Sequence, residues 1–196
     1  MTRKQKAYLI IGAYTTAAVV WSGATAYIPV AGPLLADTSG LTVISILMAY
    51  SLAALYRVDV DAATLAAFAS CVLGAVFGNV GLKALASLVP VFGSMVNATI
   101  TGTLHTAIGL GICKIFEDGR DLSSVSAKEF CRIVENCRKE AETAKAVYNA
   151  AYGRLSKEDQ ERVKRLQKQM KNPNMTDFER NRIQNELGSI FGFSFS

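Results

Sequence analysis

Residues 7–27 read AYLIIGAYTTAAVVWSGATAY, a stretch without a single charged side chain and apolar on every face of a helix rather than along one stripe. At 1.5 Å per residue a helix of this length reaches about 30 Å, the thickness of a bilayer's hydrocarbon core. A helix that is apolar all round needs burial on every side, and either a membrane or a protein interior can supply it. The choice between those two solvents decides how the rest of the chain is read.

The uncharged stretch runs on to residue 36, with Pro29, Gly32 and Pro33 ending the helix. Three more apolar segments follow. Gly40–Tyr56 is opened by Asp37-Thr38-Ser39, whose side-chain oxygens suit the first helical N–H groups. Ala62–Leu82 follows the polar turn of residues 57–61, and Val91–Cys113 follows Lys83 and Pro90. Of the 37 charged side chains in 196 residues only nine precede residue 115: Arg3, Lys4, Lys6, Asp37, Arg57, Asp59, Asp61, Lys83 and Lys114. The other 28 crowd into residues 115–196.

This division predicts an all-α chain: a Gly/Ala-rich transmembrane bundle of about four apolar helices with a charged helical tail in water. The regions are residues 1–27 (N-terminal apolar helix), 28–119 (membrane module) and 120–196 (charged C-terminal helices). Four crossings place both termini on one side, and Arg3, Lys4, Lys6, Arg57 and Lys114 make that side the cytoplasmic one, with Lys83 alone outside. Gly40–Tyr56 is short for a span and is the weakest of the four. Ala and Gly insert only weakly, so two other readings stay open: a packed soluble helical core, and hairpins that dip into one leaflet. Residues 1–26 also follow the plan of a cleavable signal peptide, with Arg3, Lys4 and Lys6 before an apolar stretch and Ala24-Thr25-Ala26 after it.

The net charge of +5 is modest, and the C-terminal region mixes 15 Lys/Arg with 13 Asp/Glu, the composition of solvated helix faces rather than of a nucleic-acid footprint. Cys71, Cys113, Cys131 and Cys137 form no CxxC pair and are too scattered for a disulfide scaffold; they read as reduced thiols.

Two stretches carry a resemblance. The first is Ile28-Pro-Val-Ala-Gly-Pro-Leu-Leu-Ala-Asp37, leading to a helix that ends Met48-Ala-Tyr-Ser-Leu-Ala-Ala-Leu-Tyr56. The second is Leu88-Val-Pro-Val-Phe-Gly-Ser-Met-Val-Asn97, leading to Thr106-Ala-Ile-Gly109 and the exit Ile115-Phe-Glu-Asp-Gly119. Over residues 28–119 the chain resembles the bacterial domain-of-unknown-function family numbered 697, with Pro29, Asp37, Pro90 and Gly93 as the turns that carry the likeness. That resemblance implies a membrane-associated helical module in the bacterial inner membrane, sometimes joined to or encoded beside a GTPase. The chain itself holds no GxxxxGK[ST] phosphate loop, so a nucleotide switch would come from a partner.

Asp37 reads as a helix N-cap, with proton or cation binding as the alternative. Pro90 and Gly93 break the backbone before a helix opening at Ser94, and Asn97, Thr101 and His105 then recur every four residues on one face. Such a stripe either hydrogen-bonds between helices or lines a pathway for ions, water or protons, with His105 titrating near neutral pH. Ser70, Gly74 and Gly78 form a small-residue face for close helix packing, within the chain or between copies of it.

In the charged region Phe130, Val134, Cys137, Ala141, Ala144, Tyr148, Ala151 and Leu155 make a heptad seam on one long helix, expected to pack on the next helix. Ser156 and Thr176 start two further helices, with Asn172-Pro173-Asn174 between them. Phe191, Phe193 and Phe195 are expected to dock on the tail helices, to touch the bilayer or to bind a partner. No nucleophile–base pair, carboxylate dyad or metal cluster assembles from the sequence, so no catalysis, cofactor or metal is expected. The functional expectation is an inner-membrane module that binds a protein partner, a GTPase being one candidate, through residues 120–196. A homo-oligomeric pore and a soluble helical domain bound peripherally to a membrane are its rivals.

Overall fold

The computed structural model describes residues 1–25, 33–61, 63–65, 67–68, 93–170, 172 and 174–195, with side chains described for 1–20, 42–61, 63–65, 67–68, 102–170, 172 and 174–195. The described residues are all helical apart from turns and connections, as the composition predicts. Three long apolar helices, α1 (Arg3–Thr25), α2 (Pro33–Tyr56) and α3 (Gly93–Glu117), are followed by a 3-10 turn at Leu122–Ser124 and four charged helices. These are α4 (Ala127–Asn136), α5 (Arg138–Gly153), α6 (Lys157–Gln169) and α7 (Asp177–Phe191). Among the described residues no helix is long and apolar enough to cross a membrane.

Local chemistry sets the helix ends. α1 begins four residues earlier than the apolar run because Thr2 and Gln5 form a reciprocal cap: Gln5 N–H donates to Thr2 Oγ1 (3.2 Å) and Thr2 N–H to Gln5 Oε1 (2.9 Å). α2 begins at Pro33, whose fixed φ and missing N–H suit a first helical position. Asp37 therefore lies inside the helix and is not its N-cap, which corrects the expected start at Gly40. Ser156 and Thr176 cap α6 and α7 as predicted, Thr176 in a full capping box with Glu179. The expected long tail helix is divided at Cys137 into α4 and α5, and α7 ends on Gly192 at φ 74°, a left-handed position that glycine takes without strain.

α1 runs antiparallel to α2 and α3, which are parallel to each other. Tyr14 contacts Ser51 and Thr15 contacts Thr106 in the middle of the bundle, while Arg3 stacks over the Tyr56 ring and Tyr56 reaches Glu117 at one end. That end gathers Arg3, Lys4, Lys6, Arg57 and Lys114, the residues that the charge pattern put on one side. Pro29, Lys83, Pro90 and the small-residue face Ser70, Gly74 and Gly78 lie outside the described residues.

The charged helices do not hang free of the apolar ones. Gly12 of α1 lies so close to α5 that a Cβ there would stand 2.1 Å from Tyr148 Cγ, and Gly111 of α3 faces Phe130 and Val134 of α4. Gln167 of α6 donates to the Ala13 carbonyl at 3.2 Å, and Gln184 of α7 donates to Ser51 Oγ at 3.1 Å. The heptad seam thus packs on α1 and α3, and Tyr148 also accepts a hydrogen bond from Gln167 of the next tail helix, α6. One hydrophobic core contains Ile10, Ile11 and Tyr14 from the first region, Leu52 and Ile108 from the second, and Phe130, Val163 and Leu187 from the third. The composition changes near residue 119, and the core runs across the change. α1, read above as a span or a signal peptide, is the central helix of that core, with residues 7–15, 17 and 18 all buried.

Candidate functional site

Three features carry the polar chemistry of the bundle. The first is the face expected to hold Ser94, Asn97, Thr101 and His105. Ser94, Asn97 and Thr101 lie on α3, and their side chains are outside those described. His105 is 1% exposed, with Nε2 3.4 Å from Ser45 Oγ of α2 and Nδ1 without a hydrogen-bond partner among the described residues. Burial lowers its pKa from 6.5 to about 4, so the ring is neutral at physiological pH and does not titrate near neutrality as expected. At this position the side chain lies between α3 and α2.

The second feature is a set of hydrogen bonds that tie the apolar helices to one another and to α7. Ser51 Oγ donates to its own helix at the Leu47 carbonyl (2.9 Å), so it must accept from Tyr14 OH (2.8 Å) and from Gln184 Nε2. Thr106 likewise donates to the Gly102 carbonyl and accepts from Thr15 at 3.3 Å. Each group is buried, so each bond avoids the cost of an unpaired polar atom.

The third is a cleft of about 200 Å³ at the charged end, where Lys4 and Tyr8 of α1 meet Cys113 and Glu117 of α3 and Cys137 and Glu140 of the α4–α5 joint. Tyr8 OH donates to Glu140 Oε1 at 2.6 Å and Lys4 Nζ lies 2.8 Å from the same oxygen. Those hydrogen bonds hold the Glu140 carboxyl below its usual range. Burial, followed by the bond to Glu140, lifts the Tyr8 phenol to about 12. Burial also raises the Cys113 and Cys137 thiols, which keeps both protonated and removes the thiolate that nucleophilic or redox chemistry needs. Among the described residues no three His, Cys, Asp or Glu side chains gather as metal ligands.

Sequence reasoning missed the packing glycines among the described residues, Gly12, Gly109 and Gly111. A Cβ on Gly109 would meet Ile11 Cγ1 at 2.7 Å and Met48 Sδ at 3.1 Å. The available signal was their position on otherwise featureless apolar helices, and Gly109 ends the motif Thr106-Ala-Ile-Gly109. The C-terminal aromatics dock within the chain: Phe193 N–H donates to the Gly188 carbonyl at 2.7 Å, and Lys6 sits over the Phe193 ring and donates to the Ser194 carbonyl. No family model, curated protein or solved structure matches this chain. The likeness of residues 28–119 to family 697 therefore rests on the quoted motifs alone.

Proposed function

We propose that this chain is a non-catalytic, membrane-associated helical module that enters one leaflet with the apolar end of its bundle and keeps α4–α7 in water for a protein partner. The carrying observation is the division of charge, nine charged side chains before residue 115 and 28 after it, in a chain whose charged helices pack on α1 and α3. Among the described side chains, α4–α7 meet α1 at Lys4, Tyr8, Gly12 and Ala13 and α3 at Thr103 and Gly111. Lipid cannot surround these stretches, because Glu140, Lys145 and Gln167 occupy the place it would take.

Among the described residues no helix is long and apolar enough to cross a membrane. This favours the dipping arrangement over four full crossings. The collection of Arg3, Lys4, Lys6, Arg57 and Lys114 at the far end agrees with it, since that end would face water. The outer faces of α4–α7 are rich in Lys, Arg and Glu and supply the partner surface; a GTPase is the partner class that the family resemblance implies, with the bacterial inner membrane as the location.

Trp21, the sole tryptophan, follows Val20 on α1. With vesicles of phosphatidylcholine and phosphatidylglycerol its emission should shift to the blue and be quenched by lipids brominated on the acyl chain. Unchanged emission with no quenching defeats the membrane reading. Ion flux that disappears in His105→Leu would instead support the pore.

A further inference from the structure

Around Val20, α1, α5 and α6 enclose a groove of about 370 Å³. Val20, 51% exposed, and the rings of Tyr148 and Tyr152 form its walls, with the stems of Lys164 and Lys168 along one side. A second hollow of about 260 Å³ shares Thr16, Tyr148 and Asn149 with it and brings in Lys145. The combined space is of the size that encloses a small ligand. Aliphatic lysine stems beside tyrosine rings present an apolar channel with cationic tips at its mouth.

The charges around the mouth favour an anion. Lys164 is paired with Glu161 at 2.7 Å, and Lys145 with Glu142 at 3.0 Å and with Thr103 at 2.7 Å. Glu161, however, faces Lys164, Arg165 and Lys168 together, and these cations hold its carboxyl below the usual range. Among the described residues that line the two hollows, Lys145, Lys164 and Lys168 carry charge and none is Asp or Glu. A free anion would use the lysines and leave the groove empty, and an uncharged acyl chain would use the groove and leave the lysines unused.

We propose that this groove binds one anionic phospholipid, its acyl chain along Val20, Tyr148 and Tyr152 and its phosphate at Lys164 and Lys168, with Lys145 within the adjoining hollow. The inference rests on the membrane reading above and adds to it a headgroup preference. A lipid held there would lie beside α1 at Thr16 and Val20.

The test uses the full chain and two readouts. Native mass spectrometry with phosphatidylglycerol and phosphatidylcholine of equal chain length should show one phosphatidylglycerol retained in preference to phosphatidylcholine. Two lysines near a headgroup, at about 1 kcal/mol each, predict that Lys164→Gln with Lys168→Gln lowers that preference at least about tenfold. Lys128→Gln with Lys157→Gln removes the same charge from exposed positions outside the groove and should leave the preference intact. Equal loss in both double variants would overturn the groove and reduce the effect to net charge. Retention of both lipids equally by the unaltered chain would also overturn it. Trp21 quenching in phosphatidylcholine vesicles should persist in the Lys164/Lys168 variant. Absence of quenching in the unaltered chain refutes the membrane reading itself, whereas quenching without headgroup preference refutes the groove alone.

Discussion

Replacing Gly12 by alanine places one methyl group where α1 touches α5. Built on the present backbone, that methyl stands 2.1, 2.4 and 2.5 Å from Tyr148 Cγ, Cδ2 and Cβ, against the 3.4 Å or more of ordinary contact. Two of these atoms, Cβ and Cγ, lie at the base of the Tyr148 side chain, and rotation about the bond between them leaves both in place. α5 must therefore retreat from α1 by about 1 Å or Tyr148 must leave its rotamer, at a typical overpacking cost of about 1–3 kcal/mol. Retreat also stretches the Gln167 bonds to the Ala13 carbonyl and to Tyr148 OH, and the Tyr8–Glu140 bond, placing the cost at the upper end.

Helix propensity acts the other way, since alanine in a helix interior is favoured over glycine by about 1 kcal/mol. The net expectation is a loss of about 2 kcal/mol, or a fall in Tm of about 4–8 °C for a chain of this size. Urea unfolding followed by far-ultraviolet circular dichroism measures it. Gly153→Ala, at the end of α5 with nothing within 4 Å of the added carbon, is the control and should be neutral or slightly stabilising. If Gly12→Ala is as stable as the parent, α5 does not lie on α1 as described, and a methyl facing lipid or solvent becomes the better account.

His105 should make stability fall as pH drops from 6.5 to about 4: the unfolded chain takes up a proton there that the buried ring refuses, for a total of about 3 kcal/mol, and His105→Gln should flatten that slope in urea midpoints taken across the range. Ser51→Ala removes the acceptor of both Tyr14 and Gln184 and should cost about 1–3 kcal/mol in the same unfolding assay; no loss would mean that those groups find other partners. Glu140→Gln weakens the partly exposed pair with Lys4 and the bond from Tyr8, and is expected to cost about 1 kcal/mol, less at high salt. Deleting residues 120–196 should give an aggregating product, because Gly12 and Gly111 would lose Tyr148, Phe130 and Val134; a soluble, folded truncation would show that the apolar helices need no cover.

The helical class was legible from the chain because apolar run lengths and caps such as Thr176–Glu179 are local signals. The arrangement of the tail was not. An all-round apolar helix such as α1 has the same sequence signature in lipid and in a protein core, and nothing local to residues 7–27 distinguishes the two solvents. The discriminating signal lay elsewhere: the seam from Phe130 to Tyr148 needed a partner, and the apolar helices needed a cover. Two such demands in one chain are met together when α4–α7 pack on α1 and α3. Thr2–Gln5 was a readable cap, while the lowered pKa of His105 depends on burial that spacing alone does not reveal.

Amide hydrogen exchange on the full chain in lipid-free, detergent-free buffer tests the shared core most directly. The amides from Ile10 to Ala18 of α1 should exchange as slowly as those from Phe130 to Ala144 of α4 and α5, through one common opening. Fast exchange in α1 while α4–α7 stay protected would contradict the account and separate the apolar helices from the charged ones.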